Sequence, residues 1–138
     1  MEPAVCAEDY AVCSRMVYVF RKPERFDVIA FSSPKDGETS VKRIVGLPGE
    51  TVEIGRGCVM IDGEPLETGE TLGAYYRELS GMEKKVVLGE DEYYVLGDAL
   101  SYSEDSRSSQ IGAVKYDRII GKVWLRYSPP FSFALPGA

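Results

Sequence analysis

Apolar residues along this chain come in short runs, most of them β-branched or aromatic, separated by clusters of Gly, Pro, Asp and Ser. No stretch keeps a helical period over a useful length, so the pattern predicts strands and turns. Tyr10 to Phe20 mixes Val12, Met16, Val17, Tyr18, Val19 and Phe20 with Arg15 and reads as a strand, broken by Pro23. Phe26 to Phe31 is a nearly continuous apolar run of the kind buried on both faces, and Lys35-Asp36-Gly37-Glu38 turns it back into Val41-Lys42-Arg43-Ile44-Val45. Pro48-Gly49 suits the two central positions of a type II turn. Thr51 to Ile54 then alternates cleanly, Gly55-Arg56-Gly57 turns, and Cys58 to Ile61 runs to Asp62-Gly63, a two-residue hairpin signal. Residues 64–85 read as an excursion, a small inserted flap. Val86 to Leu88 and Tyr93 to Leu96 resume strand character, residues 97–112 are polar and rich in serine, and Ile119 to Tyr127 is a last long strand in which Gly121 marks a bulge or a close backbone approach. The tail from Pro129 to Pro136 is expected to stay out of a central sheet because of its prolines. The class is all-β: one domain over 1–138, a barrel or sandwich of short antiparallel strands with the flap inserted.

Within this pattern the strand 41–45 stands out. Alternation puts Lys42 and Ile44 on one face and Val41, Arg43 and Val45 on the other, so the lysine points toward an apolar interior. Such an ammonium snorkels to solvent, finds a carboxylate partner, or loses its proton and becomes a base usable near neutral pH. Arg43, facing the other way, reads as a salt-bridging or surface residue.

Composition narrows the chemistry. With 44% hydrophobic and 28% charged residues the chain has the makeup of a globular domain, and its net charge of −6 argues against nucleic acid as a partner. Histidine is absent, which excludes a Ser-His-Asp or Cys-His mechanism supplied by these residues alone. Cys6, Cys13 and Cys58 lack C-x-x-C spacing, so neither a metal site nor any other cofactor is expected. No apolar run approaches the roughly 20 residues of a membrane-spanning helix.

Lys42 to Glu50 resembles the lysine box of type I signal peptidases, membrane-bound serine proteases that remove signal peptides from exported preproteins. Other matches keep the family's order. Met1-Glu2-Pro3 resembles the residues that follow the nucleophilic serine in Ser-Met-x-Pro, and Phe26 to Phe31 resembles the box Gly-Asp-Ile-Val-Val-Phe. Gly97-Asp98, Ser103 to Arg107, and Ile119 to Lys122 with Arg126 match the last box and the strand beyond it. The chain departs from the pattern at Ala99, Leu100, Ser101 and Tyr102, which replace four polar residues, at Ala4-Val5, and at Glu8-Asp9 and Phe26-Asp27, each without the usual glycine.

The resemblance implies a coiled β-barrel and a Ser/Lys dyad. Lys42 is the implied general base, Ser103 the hydroxyl that orients it, and Ser106 a second hydrogen-bonding hydroxyl. Asp98, Asp105 and Arg107 are implied supports, and Met1, Val5, Ser40 and Val41 match positions that bind the substrate as an added strand, with Ala-x-Ala signal peptides as its class. The implied nucleophile and the oxyanion donors precede Met1, so the chain as given is expected to be inactive, an extracytoplasmic domain without its anchor in the cytoplasmic membrane. Phe131, Phe133 and Leu135 are candidates for contact with lipid. The other expectations weighed are an inactive peptide-binding homologue and a self-cleaving repressor with the same dyad chemistry.

Overall fold

In a computed structural model the described residues are 10–55, 57–68, 83–98, 103–128 and 132–134. They form strands β1 (Tyr10–Ser14), β2 (Val28–Ser32), β3 (Thr39–Gly46), β4 (Thr51–Gly55), β5 (Cys58–Ile61), β6 (Glu64–Pro65), β7 (Lys84–Val87), β8 (Glu92–Leu96), β9 (Val114–Lys115), β10 (Ile119–Ser128) and β11 (Ser132–Ala134). A seven-stranded sheet runs β1-β10-β2-β3-β8-β9 with β11 also on β10, and a four-stranded sheet runs β6-β5-β4-β7. Every pairing is antiparallel. The all-β expectation is met.

Three expectations need correction. Residues 10–20 are not one strand: after Ser14 the chain turns, with Ser14 Oγ accepting the Met16 N–H at 3.2 Å, and Val17–Phe20 forms a short helix, α1. One helical turn is too short to show a period in sequence, and β-branched content hid it. The ends of the 64–85 excursion belong to the small sheet, Glu64 pairing with Ile61 and Lys84 with Ile54, while residues 69–82 lie outside the described residues. The tail does join the large sheet. Ser132–Ala134 carries no proline, so its N–H groups are free to form the ladder with Arg126–Ser128 of β10.

The hairpin β2–β3 supplies two layers at once. Ile29, Phe31 and Ile44 face a cluster with Tyr18, Tyr93, Val95, Ile111, Val114 and Ile119. From the other face Val45, with Tyr94 and Leu96 of β8, packs on Val52, Ile54 and Val59 of the small sheet. The two sheets therefore meet across one apolar layer, which at about 25 cal/mol per Å² is the main stabilising term. The corner between β3 and β4 is the expected turn: Glu50 N–H reaches Leu47 O at 3.2 Å, and Gly49 takes φ 82°, which a Cβ would strain. Gly121 also performs as its position suggested, lying at a register shift in β10, where an added Cβ would sit 2.7 Å from the Ser14 carbonyl carbon.

A buried ion pair fastens β3 to the end of β8. Arg43 Nε donates to Asp98 Oδ1 at 2.9 Å and Nη2 to Oδ2 at 2.8 Å, and both side chains are almost fully buried. Arg43 Nη1 donates to Phe26 O at 3.1 Å, and Phe26 itself sits at φ 69°, the left-handed region that favours glycine.

Two stability outcomes follow from this corner. Breaking the pair with Asp98→Ala leaves a buried guanidinium uncompensated and is expected to cost about 3 kcal/mol or more in urea unfolding, whereas Arg43→Met with Asp98→Leu recovers most of that; a loss well under 1 kcal/mol would contradict it. At position 26, both Ala and Gly remove the aromatic ring, but only Gly relieves the backbone. Phe26→Gly is therefore expected to be more stable than Phe26→Ala by about 1 kcal/mol in the same measurement.

Candidate active site

Register places two lysines on either side of one isoleucine. Ile29 of β2 faces Lys42 on β3 and Lys122 on β10, so all three side chains share a face of the large sheet. Their surroundings differ. Lys122 Nζ donates to Asp27 Oδ1 at 2.6 Å. Asp27, itself buried, also accepts hydrogen bonds from Tyr18 Oη, both Arg21 Nη atoms and the Glu24 N–H. Burial alone would raise its pKa, but the hydrogen bonds from Arg21, Lys122 and the Glu24 N–H outweigh that and hold the carboxyl below the usual range. Burial and the adjacent Asp27 carboxylate push the Tyr18 phenol up.

Lys42 makes no salt bridge among the described residues. Burial is the largest influence on its amine and pushes the pKa down from the usual lysine value. Asp105, Glu104 and Asp98 pull it back up, and Arg107 pushes it further down. Each of those three acids is already engaged: Asp98 with Arg43, Asp105 with Arg107 at 2.8 Å, and Glu104 with Lys35 at 2.7 Å. The nearby acids are thus each paired with another cation, and burial outweighs the pull they still exert, so the amine's pKa is lowered.

The segment 103–107 folds over the end of β8. The last described pair between β3 and β8 is Arg43 with Leu96, so one step further along the ladder Lys42 looks toward Gly97. Gly97 has no side chain to fill that place, and Ser103 fills it: a Cβ added to Gly97 would lie 2.0 Å from Ser103 Oγ and 2.5 Å from Ser103 Cβ. Any residue but glycine would expel the serine. Ser103 Oγ is buried and has no hydrogen-bond partner among the described residues. A buried hydroxyl with no hydrogen-bond partner among the described residues therefore sits over Gly97, whose place by alternation is on the face that Lys42 shares, and it forms no hydrogen bond to Lys42.

Three residues hold this loop in place. Asp105, with no exposure, accepts the Gly97 N–H at 3.0 Å and the Arg107 N–H at 3.2 Å. Arg107 in turn donates through Nε to Asp105 and through Nη2 to Ser103 O at 3.1 Å. Ser106, equally buried, clasps Val95 twice, its N–H donating to Val95 O at 3.0 Å and its Oγ accepting the Val95 N–H at 2.9 Å. The second hydroxyl expected near Lys42 is thus engaged as an acceptor by the β8 backbone. Lys84 was missed in the sequence: its Nζ donates to the carbonyls of Ser106 and Arg107 at 3.2 and 2.8 Å. A contact to main-chain oxygens leaves no complementary residue type to find.

Of the residues expected to bind substrate, Ser40 pairs with Phe31 and shares the Lys42 face, while Val41 pairs with Ala30 and packs on the opposite face with Val28, Ala30 and Val123. From Thr39 to Lys42 the edge of β3 that would continue the β8 ladder has no strand partner among the described residues. Met1 and Val5 lie outside the described residues, as do Ala99 to Tyr102 and Phe131. No group of three or more acidic, Cys or His side chains suited to a metal occurs among the described residues.

The family described as "Signal peptidase, peptidase S26" matches residues 1–128. The chain is 34% identical over 137 residues to "Signal peptidase I" of Leptolyngbya laminosa, covering 94% of this chain and 64% of that one. It is 29% identical over 136 residues to "Probable signal peptidase I-2" of Synechocystis sp. (strain ATCC 27184 / PCC 6803 / Kazusa), covering 94% and 59%. A crystal structure of a signal peptidase I from Enterococcus faecalis V583 superposes with a TM-score of 0.63 at 35% identity, covering 74% of this chain and 97% of the other. The chain thus spans about three fifths of the length of the first two relatives. The family match over residues 1–128 and the superposition on a signal peptidase I structure agree, and the chain belongs to the signal peptidase S26 family.

Proposed function

We propose that the chain is the catalytic domain of a serine endopeptidase that removes N-terminal signal peptides from exported preproteins. The observation that carries this reading is Lys42: a partly buried amine on a strand face, its charged form disfavoured by burial and every nearby acid already paired. That amine suits a general base, and with no histidine in the chain a lysine is the group that fits.

In the proposed mechanism the serine of the Ser-Met-x-Pro motif, whose Met and Pro are matched by Met1 and Pro3, attacks the scissile carbonyl carbon while Lys42 Nζ takes its proton. The lysine then hands that proton to the leaving amine, and an acyl-enzyme remains. Water next attacks the ester carbonyl with Lys42 again as base, releasing the new carboxylate and restoring the serine. Ser103 Oγ makes no hydrogen bond to Lys42 in this structure; in the proposed mechanism it turns to donate to the neutral amine and aims its lone pair, a bond that does not require the amine to be charged. The substrate adds as a strand along the edge Thr39 to Lys42, with small side chains of the Ala-x-Ala type before the cut. Ser40, Val41, Met1 and Val5 are the proposed contacts, although Val41 points to the face away from Lys42 and so contributes through its backbone. No helix among the described residues is long and apolar enough to cross a membrane. The proposed location is the extracytoplasmic face of the cytoplasmic membrane, reached through an anchor in the full-length protein.

The test uses the full-length protein and a peptide carrying an Ala-x-Ala signal sequence. Lys42→Met is expected to lower kcat/KM by about a thousandfold or more without loss of fold, and unchanged cleavage in that variant would sink the dyad. Because the neutral amine is the active form, the wild-type rate should rise with pH through the lowered Lys42 pKa and so approach its plateau at lower pH than an ordinary lysine would allow. Ser103→Ala should cost about a hundredfold in kcat through lost alignment, measured at the plateau pH so that the protonation state of Lys42 does not enter.

A further inference from the structure

Lys84 opens β7, opposite Ile54 in the small sheet, and its stem runs on the face that meets the large sheet. Its neighbour Lys85 points the other way and pairs with Glu53 at 2.7 Å near solvent. Lys84 instead donates to two consecutive main-chain carbonyls, those of Ser106 and Arg107. An ammonium held by two carbonyl oxygens fixes the orientation of both peptide planes, because each oxygen must point at the same nitrogen. The residues so fixed hold the rest of the loop: Ser106 clasps Val95, and Arg107 grips Asp105 and the Ser103 carbonyl. Ser103 Oγ has no hydrogen-bond partner among the described residues, so its seat over Gly97 depends on these neighbours.

We propose that Lys84 is a positioning residue for the Lys42 base, tying the loop that carries Ser103 to the four-stranded sheet and so keeping Ser103 and the loop packed against the lysine. This inference rests on the Ser/Lys reading above and extends it to a residue on a different sheet. The charged groups that act on Lys42 are Asp105, Glu104, Asp98 and Arg107; three of these, all but Asp98, lie on the loop that Lys84 tethers. Releasing the loop takes away two acids that raise the amine's pKa and one cation that lowers it, but it also admits water and relieves burial, the largest influence, so the charged form becomes easier to keep.

The experiment follows Lys42 directly, through the carbon-13 resonances of labelled lysine in the purified full-length protein, alongside kcat and KM for the signal-sequence peptide. In Lys84→Met the Lys42 titration is expected to move up by about 0.5 pH unit or more, with the acid limb of the rate profile moving the same way. At neutral pH kcat should fall about tenfold while KM changes little. Lys84→Arg, whose guanidinium also forks onto two carbonyls, should restore both, and Lys85→Met should change neither. If Lys84→Met does not fold, Lys84→Gln, which keeps a donor but no charge, carries the same expectation. A Lys42 titration identical to wild type in the folded variant overturns the proposal. That readout does not depend on turnover, so a wild type that fails to cleave, or a Lys42→Met that still cleaves, strikes the dyad alone.

Discussion

β3 carries two cations side by side, and the two-residue period of a strand sends them into opposite layers. Arg43 enters the layer between the sheets, where a bidentate bond to Asp98 compensates its desolvation. Lys42 enters the other face, where it makes no salt bridge among the described residues and the acids that act on it are each paired with another cation. A slip of one residue in the β2–β3 register would exchange the two environments and leave neither side chain in a workable state. The register is held by the apolar rows that flank it, Ile29 and Ile44 on one face and Val28 and Val45 on the other, so the same burial that stabilises the domain also sets the state of the amine.

The loop 103–107 depends on this arrangement and completes it. Asp105 and Arg107 are close enough in sequence to pair locally, and their pair is turned inward by the Gly97 N–H and the Ser103 carbonyl. A charged pair with no exposed carboxylate surface is stabilising only when its remaining hydrogen-bonding positions are filled, and here Gly97, Arg107 and Ser103 fill them. The absence of a side chain at Gly97 is what lets the loop come down far enough to seat the Ser103 hydroxyl over the end of β8. Fold and site therefore share atoms: the backbone of β8 is the ladder partner of β3 and also the anchor for Ser106 and Asp105.

Much of this was legible because it is local. Alternation in 41–45, the Pro48-Gly49 turn, and the Asp62-Gly63 hairpin with φ of 51° and 87° are short-range consequences of residue type, and they stand where expected. The facing of Lys42 and Arg43 followed from the same period. What was not legible is long-range or too short to have a period. The turn of helix at Val17–Phe20 depends on the Ser14–Met16 turn that precedes it and on packing of Tyr18 against a core assembled from distant strands. The reach of Lys84 to two carbonyls has no partner residue type to betray it. The roles of Ser103 and Asp105 came from resemblance, since a serine-rich polar stretch by itself does not say which hydroxyl turns inward.

The comparison of Lys42 with Lys122 isolates what separates the two amines. Both sit beside Ile29, on the same face and in the same row of the sheet, and both are partly buried. Strand position and apolar neighbours are therefore not sufficient. Lys122 meets Asp27, a carboxylate whose pKa is held down by hydrogen bonds from Arg21, Lys122 and the Glu24 N–H, and forms a salt bridge with it at 2.6 Å. Lys42 makes no salt bridge among the described residues, and the acids that act on it are each paired with Arg43, Arg107 or Lys35; burial outweighs their attraction, and its pKa is lowered. The two amines are separated by burial first and by carboxylate pairing second: one lysine holds its own carboxylate, and the other stands near acids that other cations hold.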